Sequence, residues 1–501
     1  MLFSKQKINL ALVFLFGGGF LLARDTKPVL NKRKSPYPAQ GKIVQAASPS
    51  QSGSADSLVQ GEPNADIRSE WLFLIYVAAR NNLAPYAAEN LKEISENLKS
   101  DKVHALVQWD QVDHKGAWRY YLKNGKIDLV DYSNVQNPRD AGQKMIDFVS
   151  YGIAKYPSKK VCVVFWNHGS GAIESMYGDP LRYMVDNTDL LGNPAIDFNE
   201  MWNFANAQTQ LLMGRGDGRA ICFDEVNKTC INNKQLKHVF EEIHTKLGHK
   251  IDVLGFDACY QAMTEIAHTA KDHALYMVGS EELELAKGWD YAYIMRAVSN
   301  KPTISAEELS CEIVKGFERC YKQKTPYYTQ SAIDLSKVDQ ICAALDGVVL
   351  GLQDSLPIFG RPLLNAILKA RKSCLQFSVK VYVDSCSMLR WLGAKILEEN
   401  LGHDVSAFTN ANNFLGYDDA FLKSKKVDER IINLLARVRL AHATIESSVI
   451  KNVASNQFRE SCGLSIYFPT NKFLDPSYVN NNFCEKSLWR SFLSKICEAM
   501  N

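Results

Sequence analysis

The sequence lacks several patterns that define common classes of protein. No dense block of Lys or Arg lies in the body of the chain and the net charge is only +3, which argues against a nucleic-acid partner. Simple repeats and coiled-coil heptads are not evident. No CxxC pair occurs among the twelve cysteines, which argues against a zinc ribbon or a thioredoxin motif. An EF-hand calcium loop is also missing.

The first residues have the pattern of a targeting segment. Lys5 and Lys7 precede an apolar run from Ile8 to Ala23, which has about the length of a signal peptide and is short for a membrane span. We expect residues 1–23 to be a signal peptide of an exported protein that is periplasmic, secreted or at the cell surface. An uncleaved N-terminal membrane anchor is the alternative, and no other membrane contact is expected.

Composition and periodicity divide the remaining chain into three parts. Residues 24–68 are rich in Ser, Pro, Gln and Gly and bury too little apolar surface to order themselves, so we interpret them as a linker or propeptide. Residues 69–300 alternate apolar strands with amphipathic helices, which predicts an α/β domain with a parallel sheet. Residues 301–501 are mainly helical, with strands predicted at "QSAIDLS" and "CGLSIYFP".

Two predicted buried strands end in residues with catalytic chemistry. "VCVVFW" is followed by Asn167-His168-Gly169, and "IDVLGF" by Asp257-Ala258-Cys259. Ligands of open α/β sheets bind at the carboxyl ends of strands, so the two segments share one edge if the strands are neighbours. A thiol reacts near neutral pH beside a base or an imidazolium, and a helix starting right after Cys259 would favour its thiolate. The alternatives are a structural histidine and an inert buried thiol.

These motifs, in this order, resemble the clostripain-like cysteine peptidases, distant relatives of caspases, legumains and gingipains. "FLIYVAARNNL" is similar to the family's opening strand and loop, "VVFWNHGSG" to its histidine motif and "LGFDAC" to its nucleophile motif. "VGSEELELAKGWDY" is similar to the segment after the nucleophile, and "SAIDLSKVDQ", "GLSIYFP" and "SLWRSFLSKI" to C-terminal landmarks. The resemblance implies a caspase-like, mainly parallel sheet flanked by helices, with a mostly helical C-terminal region.

The resemblance also implies an exported endopeptidase that cleaves after Arg or Lys through a Cys–His dyad. Cys259 is then the nucleophile and His168 the general acid and base, and the backbone N–H groups of Gly169 and Cys259 form the oxyanion hole. Asp257 matches the family acid of the S1 pocket, where a carboxylate pairs with a guanidinium or ammonium group; an ordinary acid at a helix N-terminus is the alternative. Trp289 is expected to wall this pocket or to be a core tryptophan.

The acidic stretch "SEELE" after the nucleophile allows two interpretations. Glu281, Glu282 and Glu284 are candidates for a second acid in the S1 pocket. Because charged side chains usually lie in solvent, the preferred interpretation is a solvated charged surface.

The segment between the two dyad residues is longer than is usual in the family. His168 and Cys259 lie 91 positions apart, from which we infer an insertion at about residues 174–213. Family zymogens are activated by cleavage after a basic residue between these positions, and an exposed Gly-rich loop is readily nicked. The candidates for self-cleavage are, in order, Arg219, Arg215 and Lys228. An uncut loop is the alternative.

Two other functions remain open at this point. A binding or adhesion protein that keeps the fold without activity is one, although both dyad positions are intact. A transpeptidase that transfers the thioester to an amine is the other, and an assay with and without an added amine separates it from a hydrolase. The expected partners are proteins or peptides with a basic P1 residue. No cofactor or metal is predicted to be required; calcium, which is associated with clostripain, stays open.

Overall fold

A central β-sheet organises the structure, a computed structural model that describes residues 69–112, 114, 116–133, 140–174, 221–401, 415–469 and 474–499. The predicted signal peptide and linker lie outside these residues, as does nearly all of the predicted insertion. The strands are β1 (Ser69–Ala78), β2 (Val103–Asp110), β3 (Ala117–Lys123), β4 (Lys126–Ser133), β5 (Ser158–Trp166), β6 (Ile221–Asp224), β7 (Thr229–Ile231), β8 (Ile251–Asp257), β9 (Ala274–Gly279), β10 (Thr329–Asp334), β11 (Tyr382–Asp384), β12 (Val449–Ala454) and β13 (Ser465–Tyr467).

Helices cover both faces of the sheet. They are α1 (Ala84–Asn97), α2 (Ala141–Lys155), α3 (Asn233–Leu247), α4 (Thr264–Ala270), α5 (Tyr291–Asn300), α6 (Ala306–Tyr321), α7 (Val338–Ser373), α8 (Ser385–Leu401), α9 (Asp419–Ser424), α10 (Glu429–Ser448), α11 (Phe483–Lys486) and α12 (Trp489–Ala499). Core residues of α1, α5 and α6 pack on one face. Core residues of α2, α3, α4, α7, α8 and α10 pack on the other.

The main sheet has nine strands in the order β12-β10-β9-β8-β5-β1-β2-β3-β4. Its centre, β2-β1-β5-β8-β9, is parallel. The hairpin β3–β4 extends one edge in antiparallel fashion, and β10 with β12 extends the other. The predicted fold is thus confirmed, and the largely helical C-terminal region contributes two strands to the same sheet. The strand β12 was not predicted from the sequence.

The strand β1 shows why a continuous apolar run becomes a central strand. Every residue from Trp71 to Ala78 is buried. Leu72 and Leu74 belong to the core on one face of the sheet, whereas Phe73 and Ile75 belong to the core on the other. Both faces of the strand are covered by helices, so alternation of apolar and polar residues would bury polar groups.

The helix α7 is the one described helix that is long and apolar enough, by length and composition, to cross a membrane. Its backbone leaves the helical conformation at Gly360, where φ is 50°, and Pro357 and Pro362 flank this kink. Its buried residues pack with the rest of the core on one face of the sheet. No disulfide bond joins any of the twelve cysteines.

Candidate active site

The strands β5 and β8 are direct neighbours in the sheet. They run parallel, with Trp166 opposite Asp257, and the Asn167 N–H donates to the Asp257 carbonyl oxygen at 3.2 Å. The segments that follow the two strands therefore leave the same edge of the sheet, as predicted. His168 and Cys259 both line one narrow cleft.

The imidazole of His168 is held from the loop after β1. Its Nε2 lies 2.7 Å from Asn82 Oδ1, and because an amide oxygen only accepts, Nε2 is the protonated nitrogen. Burial lowers the pKa of His168 to about 3, so the ring is neutral at physiological pH. In this tautomer Nδ1 is the nitrogen that can accept a proton.

The thiol of Cys259 is buried and contacts the backbone of Glu284. Its Sγ accepts from the Glu284 N–H at 3.2 Å and donates to the Glu284 carbonyl oxygen at 3.9 Å. Burial raises the pKa of the Cys259 thiol well above its ordinary value. The thiol is therefore protonated near neutral pH, and it needs a base to become a nucleophile.

The backbone after the thiol makes a sharp turn instead of a helix. Tyr260 has a φ of +60°, which is a strained conformation for a residue with a Cβ. The Ala262 N–H donates to the Ser280 carbonyl oxygen at 2.9 Å, so this stretch is extended, and α4 begins only at Thr264. The prediction that a helix starts right after Cys259 is therefore wrong, and no helix dipole points at the thiol.

The backbone of Gly169 lies against the turn that carries the thiol. A Cβ at this position would overlap the Cys259 carbonyl oxygen and would lie 2.5 Å from Gln261 Nε2. Only glycine permits this approach of the two strand ends. The oxyanion hole formed by the N–H groups of Gly169 and Cys259 stays a prediction.

The carboxyl group of Asp257 lines the cleft together with His168 and Cys259. Its Oδ2 accepts from the Tyr291 hydroxyl at 2.9 Å and from the Trp289 N–H at 3.3 Å. Gly288 has a φ of +68°, and a Cβ there would lie 2.5 Å from Asp257 Oδ1. Burial raises the pKa of Asp257 to about 7, although these hydrogen bonds oppose the increase.

The interpretation of the acidic stretch as a solvated surface is wrong. Glu281, Glu282 and Glu284 are all buried, with at most 4% of each residue exposed. The two oxygens of Glu282 accept from the N–H groups of Leu283 and Ser378, each at 2.8 Å. The stretch follows β9 and is covered by C-terminal segments, which are distant in sequence.

Asp257 and Glu284 form a pair of buried acids in the cleft. Burial raises the pKa of Glu284 well above its ordinary value, and the carboxylate of Asp257 raises it further. Among the described residues no cation forms an ion pair with either acid; Lys287, close in sequence, pairs with Glu89 at 2.8 Å and Glu93 at 3.0 Å. As far as the structure describes the chain, the cleft thus holds two buried acids that are not paired with a cation.

The indole of Trp289 lies in the core instead of in the cleft lining. The residue is 1% exposed, and its ring packs against Gly255, where a Cβ would lie 2.7 Å from the indole Cη2. Only its backbone N–H reaches Asp257. Trp289 is therefore a buried core tryptophan, and its backbone N–H helps to hold the Asp257 carboxyl group.

Of the three predicted cleavage residues, the structure describes Lys228. Arg215 and Arg219 lie outside the described residues. Lys228 is exposed in the turn between β6 and β7, with a φ of +56°. Within the described ranges, no group of three or more His, Cys, Asp or Glu side chains could hold a metal ion. The expectations about metal and calcium stay untested.

Sequence reasoning missed Asn82, Asn167 and Glu284 as parts of the site. Asn82 stands in "ARNNL" and Asn167 next to the histidine, so both lie inside quoted motifs. Their contacts, however, depend on the strand order. Glu284 was weighed and set aside, because nothing local in the sequence distinguishes a buried acid from a solvated one.

Comparisons with known proteins agree with this fold. The profile of the clostripain family matches residues 75–189 and 201–495. A secreted C11 cysteine protease from Bacteroides thetaiotaomicron, solved in complex with an irreversible peptide inhibitor, is 16% identical; the match covers 85% of this chain and 99% of that chain, with a TM-score of 0.51. An inactive zymogen C11 protease from Parabacteroides distasonis is 17% identical over the same shares, with a TM-score of 0.50. No curated protein matches the sequence.

Proposed function

Since this chain belongs to the clostripain family, we propose that it is a cysteine endopeptidase that cleaves after Arg or Lys through Cys259 and His168. One observation carries the proposal: a single cleft is lined by a thiol, a neutral imidazole and two buried acids with which none of the described cations pairs. The first two supply a nucleophile and a base. The acids supply the complement to a basic P1 side chain.

In the proposed reaction, the thiol proton of Cys259 passes to Nδ1 of His168 as Sγ attacks the scissile carbonyl carbon. Because the resting thiol and imidazole are both neutral, proton transfer accompanies the attack instead of preceding it. Asn82 Oδ1 accepts a hydrogen bond from Nε2–H throughout the reaction, which leaves Nδ1 as the nitrogen that takes the proton. The developing oxyanion is placed near the N–H groups of Gly169 and Cys259.

The imidazolium then returns its proton to the leaving amine, and a thioester remains on Cys259. His168 next takes a proton from water, whose oxygen attacks the thioester carbonyl carbon. The resulting acid leaves, and the thiol is restored with the proton that His168 held. Water is the only reactant that the proposed reaction needs besides the peptide.

The proposed P1 preference follows from the charge of the cleft. A guanidinium or ammonium group entering the cleft would form a charge-assisted hydrogen bond with Asp257 and would neutralise one acid. An acidic P1 side chain would bring another carboxyl group beside two buried acids whose pKa values are already raised. One carboxylate accepts Arg and Lys alike, so both are proposed.

Export and self-cleavage belong to the same proposal. The apolar segment before residue 24 favours export, and a structural relative is described as secreted. Another relative is described as an inactive zymogen, which supports activation by a cut at Arg219, Arg215 or Lys228. A basic residue there fits the proposed P1 preference.

The test compares the full-length protein with Cys259→Ala. Each is incubated alone and run on a denaturing gel, and each is assayed on fluorogenic peptides with Arg, Lys or Asp at P1. We expect the wild type to split near residue 219 and to cleave only the two basic peptides, while the variant does neither. Equal cleavage by Cys259→Ala would show that the nucleophile is assigned wrongly. If neither protein cleaves any peptide, with calcium and a reductant present, the proposal fails.

A further inference from the structure

The short strand β6 is attached to the loop that carries His168. Ile221 forms an isolated β-bridge with Gly169. The Phe223 N–H donates to Asn167 Oδ1 at 3.1 Å, and Asn167 Nδ2 donates to the Phe223 carbonyl oxygen at 3.2 Å. The Phe223 ring lies 6.3 Å from the His168 ring, between centroids. β6 therefore contacts the residues on both sides of His168 and the histidine ring itself.

The side chain of Asn167 transmits the position of β6 to His168. Its Oδ1 also accepts from the His168 N–H at 2.5 Å, and its Nδ2 also donates to the Ala78 carbonyl oxygen at the end of β1. One buried amide thus joins β1, β6 and the histidine backbone. If β6 moves, this amide loses two of its four hydrogen bonds.

Asp224, the last residue of β6, fixes the strand in a buried cluster of four charges. Its Oδ2 lies 3.3 Å from Arg80 Nη1 and 3.5 Å from Lys144 Nζ. Asp110 Oδ2 lies 3.7 Å and 3.5 Å from the same two atoms. All four side chains are at most 5% exposed. The cluster is balanced, with two positive and two negative groups.

The charge balance depends on β6 because it supplies one of the two acids. Without Asp224, Arg80 and Lys144 would share Asp110 alone, and one buried positive charge would be uncompensated. Such a charge is costly. Arg80 is also fixed, since its other N–H groups donate to the carbonyl oxygens of Gln111, His114 and Gly116. Arg80 is therefore held in place, and its ion pair with Asp224 holds β6 against the end of β1.

We propose that Asp224 is a positioning residue for His168, and that the buried four-charge cluster holds β6 against Asn167 and thereby fixes the catalytic loop. This inference rests on the proposed function, because it assigns Asp224 a role in that reaction. Asp224 does not touch substrate; it acts through β6 and Asn167. In sequence β6 begins two residues after Arg219, so the same cluster would keep the first strand after that cut in place.

The test measures kcat and KM of full-length variants on a P1-Arg peptide, at a temperature where circular dichroism shows each variant folded. Asp224→Asn is expected to lower kcat by about tenfold to a hundredfold, the cost of a small misplacement of a catalytic group, with KM nearly unchanged. Lys144→Met combined with Asp224→Asn leaves one cation and one acid, and is expected to restore most of kcat.

Two controls separate positioning from loss of stability. Asp131→Asn removes a partly exposed acid paired with Arg119 on the neighbouring hairpin, and is expected to leave kcat unchanged. Leu434→Ala opens a cavity in the core between α7 and α10 and destabilises the fold without touching β6. If Asp224→Asn retains full kcat, or loses no more than Leu434→Ala, the positioning role is wrong. A double variant no better than Asp224→Asn contradicts the argument from charge balance.

A second readout does not need cleavage. The ring signals of His168 are followed by NMR in protein with labelled histidine and assigned with His168→Gln. Asp224→Asn is expected to shift them and Asp131→Asn to leave them in place. If the wild type cleaves nothing but this shift is seen, the proposed function fails while the positioning of His168 by β6 stands. If Asp224→Asn leaves the signals unchanged, the inference fails whatever the activity.

Discussion

Two pairs of buried acids lie near the carboxyl ends of the parallel strands, and they differ in whether cations pair with them. Asp110 and Asp224 share the cations of Arg80 and Lys144. Asp257 and Glu284 are as deeply buried, yet no described cation pairs with either. Burial raises the pKa of Asp110 too, but both cations oppose the increase. For Asp257 only hydrogen bonds oppose it.

The difference separates a structural role from a binding role. A buried acid is expensive unless it is paired, and the first pair shows that this fold can supply cations where the structure needs them. The second pair lines the cleft with Cys259 and His168. Because no described cation pairs with it, we propose that the side chain of the substrate supplies the positive charge. Substitutions that alter one pair or the other distinguish the two roles.

The same substitution should have opposite effects on stability in the two pairs. Asp224→Asn leaves a buried cation uncompensated and should destabilise the fold by about 3 kcal/mol. Asp257→Asn should instead stabilise it at pH 8. A folded-state pKa raised from 3.8 to about 7 means that the stability contributed by the acid is full below about pH 4 and is lost as the pH rises through 7.

Asp257→Asn should also lower kcat/KM for a P1-Arg peptide by about a hundredfold or more, the cost of leaving the substrate cation unpaired. Thermal unfolding at pH 8 and steady-state kinetics measure both effects. Equal signs of the two stability changes would remove the distinction between the pairs.

Asn82→Ala should affect the chemistry without affecting P1 selection. Loss of the contact to His168 Nε2 releases the ring and should lower kcat by roughly tenfold to a hundredfold. Peptides with Arg and with citrulline, its uncharged analogue, should lose the same factor, unlike in Asp257→Asn. Asn82→Asp should retain more activity and, because a carboxylate favours the imidazolium, should raise the pKa of His168 in the pH profile of kcat. A loss confined to the Arg peptide would contradict the assignment.

A cation introduced into the cleft should pair with the buried acids Asp257 and Glu284. Ala286 lines the cleft, and Ala286→Arg places a guanidinium where a basic P1 group is expected to bind. KM for a P1-Arg peptide should rise about tenfold, and the melting temperature should rise by a few degrees as the acids become paired. Ala286→Gln, which adds bulk without charge, is the matched control. Equal effects of the two substitutions would mean that charge is not what the cleft lacks.

The activity on basic peptides should fall in acid. Asp257 must be ionised to attract a cation, and its pKa of about 7 places the change near neutrality. We expect kcat/KM for a P1-Arg peptide to decrease by up to tenfold for each pH unit below about 7, while the citrulline peptide changes less. Because His168 is already neutral there, it does not cause the decrease. Identical profiles for both peptides would exclude Asp257 as its origin.

Much of the fold, and the placement of His168 and Cys259 at one edge of the sheet, could be predicted from the sequence, because most of the information is local. The apolar run of β1 predicts a strand that is buried on two faces. The order of the motifs predicts that His168 and Cys259 each follow a strand. That β5 and β8 are neighbours does not follow from either strand alone. The helix predicted right after Cys259 failed because hydrogen bonds to distant segments extend that stretch instead.

The burial and pairing of the acidic side chains could not be predicted from the local sequence. Glu282 and Glu284 have the sequence context of a charged surface, and only their contacts with distant segments bury them. Asp224 has no local mark of its role either, since Arg80 and Lys144 lie far away along the chain. Which acid receives a cation is decided by tertiary packing.

We propose that the P1 side chain of the substrate supplies the cation that pairs with Asp257 and Glu284. The direct measurement is kcat/KM of the wild-type protein for two peptides that differ only in Arg or citrulline at P1, with Cys259→Ala as the blank. We expect a preference for Arg of about a hundredfold or more, and no cleavage by Cys259→Ala. Equal cleavage of the two peptides would contradict it, because the unpaired acids would then have no part in choosing the substrate.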